Sequence, residues 1–155
     1  MVTRHRLNLI SKAEFLAHLF ALLFGPHRYD HHHDYFDPSL YASDKNTLEI
    51  IGNGRRNRLA TVFWYLSDVA EGGETAFPRF GGLEPVSMQD CDRGLLVKPV
   101  KGRVIIFYSL LPDGKPDPAS LHGACPVKEG IKWAANKWVW NEPMGYVSSP
   151  YAEEE

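Results

Sequence analysis

Short runs of β-branched and aromatic residues, separated by turns rich in glycine and proline, dominate the chain from residue 58 onward. Runs of this length and composition favour strands over helices. Turn signals such as Gly72-Gly73 and Pro112-Asp113-Gly114 separate them. The predicted strands cover residues 58–69, 94–100, 103–110, 120–127 and 132–140. Strands of this length at this spacing predict an antiparallel sandwich or barrel.

The length of the chain predicts one main domain. A chain of 155 residues is long enough to bury a substantial core. Its formal net charge of -2 gives no indication of a nucleic-acid partner. We divide the chain into an N-terminal segment (1–24), a folded domain (25–143) and a frayed tail (144–155). Within the domain, residues 39–56 are rich in turn signals and are expected to form a loop.

The N-terminal segment, residues 1–24, has two interpretations. Two arginines precede an apolar stretch, as they do in a signal peptide or membrane anchor. Lys12 and Glu14 interrupt this stretch, so that it stays well short of the ~20 apolar residues that span a bilayer. The apolar residues between positions 13 and 23 recur at a helical spacing. We therefore expect an amphipathic helix packed on the domain, with a degenerate targeting segment as the alternative.

A cluster of three consecutive histidines precedes Asp34. Side chains two residues apart on a strand point to the same face, so His32 and Asp34 should project together, while His31 and His33 share the opposite face. One imidazole and one carboxylate are two ligands of the facial triad that leaves open positions on iron. His122 is the best candidate for the third ligand, because it is the only histidine after the cluster.

Other interpretations of these residues remain open at this point. Zinc accepts the same ligands and would give hydrolysis or a structural role. A histidine tract can also be a solvated surface strand or a simple metal trap. Lys132, ten residues after His122, is either a solvated lysine or a fixed cation for the distal carboxylate of a co-substrate.

Three blocks of the sequence resemble the prolyl 4-hydroxylase family of 2-oxoglutarate dioxygenases. They are YDHHHDYF (29–36), where that family shows Tyr-x-x-His-x-Asp, NRLATVFWYLSDVAEGGETAFP (57–78) and GLLVKPVKGRVIIFYSLLPDGKPDPASLHGACPVKEGIKWAANKW (94–138). The resemblance implies an Fe(II)/2-oxoglutarate dioxygenase domain over residues 25–143. Its fold would be mainly β, a double-stranded β-helix or jelly-roll barrel, here with an N-terminal helix.

The resemblance also implies roles for individual residues. The residues that match iron ligands of the family are His32, Asp34 and His122. Those that match the co-substrate pocket are Lys132, which would bind the distal carboxylate of 2-oxoglutarate, Thr75 and Trp138. Those that match positions near the peptide substrate are Tyr29 and Arg58. The iron ligands and Lys132 form the implied catalytic set.

The implied reaction is the hydroxylation of a peptidyl residue, with proline as the expected residue. O2 and 2-oxoglutarate would be consumed, succinate and CO2 released, and ascorbate would serve as the reductant. The expected partner is a proline-containing peptide or protein, not a nucleic acid, and membrane attachment is left open. The family resemblance points to the endoplasmic reticulum or the secretory pathway. The alternative is a catalytically inactive metal-binding β-barrel that acts as a binding module.

The chain departs from the family pattern at three places. Members usually carry further N-terminal helices and strands that brace the major sheet, and residues 1–28 stand in their place, so the domain looks shortened. Leu23 stands where we expect a co-substrate tyrosine. Trp140 stands where many prolyl hydroxylases carry a histidine, which weakens a proline substrate more than it weakens the reaction type.

Two cysteines, Cys91 and Cys125, are too few for a disulfide scaffold. They are either two free thiols or the two halves of one bridge. Sequences that resemble this one carry cysteines at both positions. A bridge would indicate an oxidising compartment.

Overall fold

The computed structural model describes residues 20–24, 29–85 and 87–143. The strands in this part are β1 (Phe20–Phe24), β2 (Tyr29–His32), β3 (Arg58–Tyr65), β4 (Glu71–Gly72), β5 (Thr75–Phe77), β6 (Leu95–Val97), β7 (Val104–Tyr108), β8 (His122–Ala124), β9 (Val127–Glu129) and β10 (Lys132–Trp140). One α-helix, α1 (Lys45–Ile50), and the 3-10 turns Pro38–Tyr41, Gly52–Gly54 and Pro118–Ser120 lie between them.

Two antiparallel sheets of four strands form the barrel within the described residues. The larger sheet has the order β1-β10-β3-β7, and the smaller has the order β2-β8-β5-β6. Strands β4 and β9 pair separately as a ribbon. Side chains of β3 and β10 meet side chains of β5 between the sheets, as the contacts of Thr75 with Tyr65 and Lys132 show. The predicted jelly-roll fold is therefore confirmed.

Strand β10 has the bounds that the sequence predicts, residues 132–140. It pairs with β3 over most of its length. The predicted strand 120–127 is instead two short strands, β8 and β9, with a break between them. Pro126 lies in the break, and proline cannot donate a hydrogen bond to a strand neighbour.

The predicted helix over residues 1–24 is wrong for its last five residues. Phe20–Phe24 is β1, an antiparallel partner of β10 whose register runs from Phe20 opposite Asn136 to Phe24 opposite Lys132. Aromatic and branched residues suit a strand as well as a helix, and backbone pairing with β10 decides between them. Residues 1–19 of that prediction and the predicted tail, 144–155, lie outside the described residues.

The segment 39–56, expected to be a loop, contains α1 and two 3-10 turns. Asp44 caps α1, because its carboxylate accepts hydrogen bonds from the backbone N–H of Thr47 at 3.1 Å and from its hydroxyl at 2.6 Å. Asn53 adopts a left-handed conformation, with φ of 55°, which asparagine tolerates better than most residues. Local capping thus orders a segment whose composition alone suggests a loop.

A disulfide bond joins Cys91 to Cys125, with the two Cα atoms 5.8 Å apart. It fastens the segment between β5 and β6 to the residue that follows β8. Of the two interpretations of the cysteines, the bridge is therefore the right one. Among the described residues, no helix is both long and apolar enough to cross a membrane.

Candidate metal and co-substrate site

The side chains of His32, Asp34 and His122 converge, with their ligand atoms within 4.8 Å of one another. The Nε2 atom of His32 is 3.8 Å from Oδ1 of Asp34, and the Nε2 atom of His122 is 3.7 Å from Oδ2. The two imidazole rings lie 4.4 Å apart between centroids. The structure thus brings together the three predicted ligands from two separate segments of the chain.

Neighbouring strands of the smaller sheet carry the two imidazoles. His32 ends β2 and pairs directly with His122, the first residue of β8. Asp34 lies two residues beyond the end of β2, so its place beside His32 comes from a bend and not from the strand alternation that the sequence suggested. The Thr61 hydroxyl donates to Oδ2 of Asp34 at 2.6 Å and fixes the orientation of the carboxylate.

Each imidazole presents Nε2 to the shared centre. The Nδ1–H of His122 donates to the carbonyl oxygen of Ser120 at 2.9 Å, and that of His32 donates to the carbonyl oxygen of Asp30 at 3.0 Å. These bonds leave the Nε2 lone pairs free for a metal ion. Burial lowers the pKa of His122 to about 4, although Asp34 opposes the shift, so the ring is neutral at physiological pH, as a metal ligand must be.

The donor set fits Fe(II). Two imidazole nitrogens and one carboxylate oxygen, all within 4.8 Å of one another, are the donor types of the 2-His-1-carboxylate site. His31 is 5% exposed, Asp34 is 6% exposed and His122 is 8% exposed, while the His32 side chain is 35% exposed, so the tract is not a solvated surface strand.

A buried cation lies elsewhere between the sheets. Lys132 is fully buried, and its Nζ is 3.5 Å from the hydroxyl oxygen of Thr75. Desolvation lowers the pKa of Lys132 to about 8, with Glu74 acting in the opposite direction. The interpretation as a solvated lysine is therefore wrong, and the pair formed with Thr75 can receive a carboxylate.

Tyr65 and Thr61 belong to the site, although the sequence did not single them out for it. The Tyr65 hydroxyl donates to Oγ1 of Thr75 at 2.7 Å, and burial raises the pKa of Tyr65 to about 12, so it remains a donor. Thr61 and Tyr65 both lie on β3 and face the interior. The alternation of β3 would have identified them once the register with the other strands was known.

Arg58 occupies an aromatic cluster near Asp34. Its guanidinium carbon lies 3.4 Å from the ring centroid of Trp138 and 4.6 Å from that of Phe36. Its Nη1 donates to the carbonyl oxygen of Asp34 at 3.3 Å. The rings of Phe36 and Trp140 stack, with centroids 5.8 Å apart. Trp138, predicted for the co-substrate pocket, thus contacts Arg58, which was predicted for the peptide.

Tyr29 lies beside His32 and is exposed to solvent. It is 56% exposed, and its ring meets that of His32 edge-on with centroids 4.6 Å apart. An exposed ring in contact with the His32 imidazole can touch a molecule that enters from solvent. The role near the peptide substrate that the family resemblance implies for Tyr29 stays a prediction.

Comparison with known proteins gives consistent matches. The family model described as the 2OG-Fe(II) oxygenase superfamily matches residues 18–140. "Probable prolyl 4-hydroxylase 4" of Arabidopsis thaliana is 42% identical over 131 residues, which are 79% of this chain and 41% of the relative. "Prolyl 4-hydroxylase 2" of the same plant is 43% identical over 120 residues, covering 72% and 37%. The chain thus spans about two fifths of the length of these relatives.

A solved structure gives a similar match. It is the viral collagen prolyl hydroxylase of Paramecium bursaria Chlorella virus-1, in a complex with 2OG. The match has a TM-score of 0.56 and 29% sequence identity, and covers 79% of this chain and 56% of the viral chain.

Proposed function

Because the chain belongs to the 2OG-Fe(II) oxygenase superfamily, we propose that it is an Fe(II)/2-oxoglutarate-dependent dioxygenase that hydroxylates a peptidyl residue, with proline as the expected residue. The observation that carries the proposal is the convergence of His32, Asp34 and His122 within 4.8 Å. The names of the plant relatives and of the viral structure support proline as the target.

The three converging residues would hold Fe(II) by one face. Bound Fe(II) would supply the O2 activation that couples decarboxylation of 2-oxoglutarate to succinate with hydroxylation of a C–H bond. Thr61 keeps the Asp34 carboxylate turned toward both imidazoles through the 2.6 Å hydrogen bond. Asp34 and His122 are buried, whereas the His32 side chain stays 35% exposed, so the centre is shielded from bulk water on the side of Asp34 and His122.

Lys132 and Thr75 would bind the distal carboxylate of 2-oxoglutarate. The ammonium of Lys132 donates a charge-assisted hydrogen bond to such an anion. Tyr65 donates to Oγ1 of Thr75, so the hydroxyl hydrogen of Thr75 can turn to the same carboxylate. We assign Trp138 to the wall of this pocket, in keeping with the family resemblance.

The peptide would enter past Tyr29 and Arg58. The exposed ring of Tyr29 and the stacked pair of Phe36 and Trp140 offer flat apolar surfaces against which a pyrrolidine ring can pack. Arg58 is held by its aromatic neighbours and by the Asp34 carbonyl, and would donate to the peptide backbone.

Ascorbate is the proposed reductant, and a proline-containing peptide or protein is the proposed partner. We also propose that the protein works in the endoplasmic reticulum or the secretory pathway. The Cys91–Cys125 bridge supports this location, because such bonds persist in oxidising compartments.

The test is an assay of succinate release. Purified protein is incubated with Fe(II), ascorbate and 2-oxoglutarate, with and without proline-rich peptides. We expect peptide-dependent succinate that the changes His32→Ala and His122→Ala both abolish. Lys132→Ala should chiefly raise the 2-oxoglutarate concentration needed. Lys128→Ala is the matched control, because Lys128 is exposed and pairs with Glu71 at 2.9 Å.

Two results would contradict the proposal. Activity that survives either histidine change would show that the ligand assignment is wrong. Iron binding without any succinate, across a panel of peptides, would instead favour a catalytically inactive metal-binding barrel.

A further inference from the structure

Asn136 lies on the interior face of β10. It pairs with Phe63 of β3, while Ala134 pairs with Tyr65 and Trp138 pairs with Thr61. Thr61 and Tyr65 face the interior, because they bond Asp34 and Thr75 respectively. Paired residues of neighbouring strands share a face, so Asn136 and Phe63 also face the interior. We call such a pair of opposite residues a row. The Asn136–Phe63 row lies between the Trp138–Thr61 row and the Ala134–Tyr65 row.

The carboxamide oxygen of Asn136 is buried and has no hydrogen-bond partner among the described residues. The residue is 6% exposed, and Oδ1 is enclosed yet has no hydrogen bond to any part of the chain that the structure describes. A buried polar atom left in this state costs about 1–3 kcal/mol, so folded proteins rarely keep one without a reason. Its paired neighbour, Phe63, has an apolar side chain that cannot satisfy it.

The row of Asn136 lies between the two ends of the proposed site. On one side, the Trp138–Thr61 row touches Asp34, and on the other side, the Ala134–Tyr65 row touches Thr75 and, through it, Lys132. A five-carbon dicarboxylate that reaches from the Asp34 end to the Lys132 end must therefore lie next to Asn136 and Phe63.

We infer that Asn136 binds the co-substrate, by hydrogen-bonding an oxygen of the 2-oxo acid at its metal-side end. The inference rests on the proposed function. The ligand has only acceptor oxygens, and a half-turn of the carboxamide brings Nδ2, a donor, to the place where Oδ1 lies. Asn136 would thus orient the 2-oxo acid, while Lys132 and Thr75 hold its other end.

Binding of 2-oxoglutarate to the Mn(II)-loaded protein tests the inference, because it needs no turnover. The affinity is measured by titration calorimetry for the wild type and for Asn136→Leu and Asn136→Asp, both close to asparagine in size. We expect the leucine variant to bind 2-oxoglutarate about 10-fold more weakly, since a hydrogen bond to a charged group is lost. The aspartate variant should bind more weakly still, because its charge repels the ligand.

The readouts separate the possible failures. The affinity for Mn(II) alone should change less than about 2-fold in each variant, since Asn136 is not proposed as a metal ligand. Val139→Ala is the control, because Val139 lies on β10 but is 39% exposed. If circular dichroism shows that one Asn136 variant is unfolded, the 2-oxoglutarate affinity of the other variant tests the inference.

Unchanged 2-oxoglutarate affinity in a folded Asn136 variant would overturn the inference and leave the proposed function standing. A variant that binds the peptide more weakly but binds 2-oxoglutarate as the wild type does would also overturn the inference, because Asn136 would then belong to the peptide site. Failure of the Mn(II)-loaded wild type to bind 2-oxoglutarate would instead count against the proposed function itself.

Discussion

Lys132, which we propose as the partner of the distal carboxylate of 2-oxoglutarate, is a buried amine whose pKa lies close to physiological pH. Burial lowers its pKa from the usual 10.5 to about 8 in the free protein. The ammonium form prevails below that pH, and the neutral amine prevails above it. Only the ammonium form can supply a charge-assisted hydrogen bond to a carboxylate, so the site should favour its ligand on the acidic side of this value.

We therefore expect the affinity for 2-oxoglutarate to fall as the pH rises above about 8. The loss should approach a factor of about ten for each further pH unit. Titration of the Mn(II)-loaded protein between about pH 7 and 9 measures this slope. Lys132→Met should bind weakly at every pH with no such slope, whereas Lys128→Ala should keep it. A flat affinity in the wild type would contradict the assignment of Lys132.

The lowered pKa of Lys132 also makes the free energy of unfolding depend on pH. In the absence of ligand, the unfolded chain binds more protons than the folded one between about pH 8 and 10.5, because the folded-state pKa is the lower. The contribution of Lys132 to the free energy of unfolding therefore rises with pH through that interval.

At the scale of single residues, the sequence predicted the groups that carry distinctive chemistry. His32, Asp34 and His122 were identifiable from residue type, position and family resemblance. Thr61 and Tyr65 were not, because a hydroxyl gains its role from the partner it reaches across the barrel. That information lies in strand register, which one sequence does not encode locally.

At the scale of secondary-structure elements, β2 and β8 together carry both imidazoles. Gly123 lets them approach, because a Cβ at this position would lie only 2.8 Å from the carbonyl oxygen of Tyr29 and would clash with the ring of His31. The absence of a side chain at position 123 is thus a condition for the spacing of His32 and His122.

Gly123→Ala should push β2 away from β8 and weaken Mn(II) binding by about 10-fold or more, as loss of metal-site geometry does. Calorimetric titration with Mn(II) measures the effect. The double change Gly123→Ala, His31→Ala should recover part of the affinity, because it removes the ring but not the clash with the backbone. Wild-type affinity in the single variant would show that the strands tolerate the extra methyl group.

Elements were predictable where a turn and aromatic residues marked their limits. β10 was predicted with its correct bounds because it follows the turn at Gly130 and contains three tryptophans, although its alanines, lysines and asparagine are not typical strand formers. The segment 39–56 was expected as a loop, since its capping by Asp44 depends on a few side chains and not on a long periodic pattern. The strand Phe20–Phe24 was assigned to a helix, because its pairing with the distant β10 leaves no local signal.

At the scale of the whole molecule, the segment between β5 and β6 ties the smaller sheet together. The Cys91–Cys125 bridge attaches it next to β8, and the carbonyl oxygen of Met88 accepts a hydrogen bond from the backbone N–H of His31 at 2.9 Å. One covalent bond and one hydrogen bond therefore fasten the segment to both strands that carry the imidazoles.

Removing the bridge by Cys91→Ser, Cys125→Ser should lower the free energy of unfolding by about 4 kcal/mol, the chain-entropy value for a closed loop of 34 residues. Urea unfolding of the oxidised wild type and of the double variant gives the difference. Mn(II) affinity should fall as well, because the segment steadies β2. Equal midpoints for the two proteins would show that the bridge adds no stability.

The jelly-roll fold was predictable through family resemblance, whereas the order of the strands in each sheet was not predicted. Composition alone left a sandwich and a barrel open, because both place short antiparallel strands at the same spacing. The bridge between Cys91 and Cys125 was likewise left open by residue count and favoured only by similar sequences.

The pairing of β2 with β8 has a consequence for how the protein acquires its metal. His32 and His122 are remote in sequence, so the complete ligand set exists only after the chain between them has been made and β2 has paired with β8. During synthesis, the first imidazole leaves the ribosome long before the second. Metallation must therefore await a nearly finished barrel, and early binding of metal to the nascent histidine tract would be unproductive.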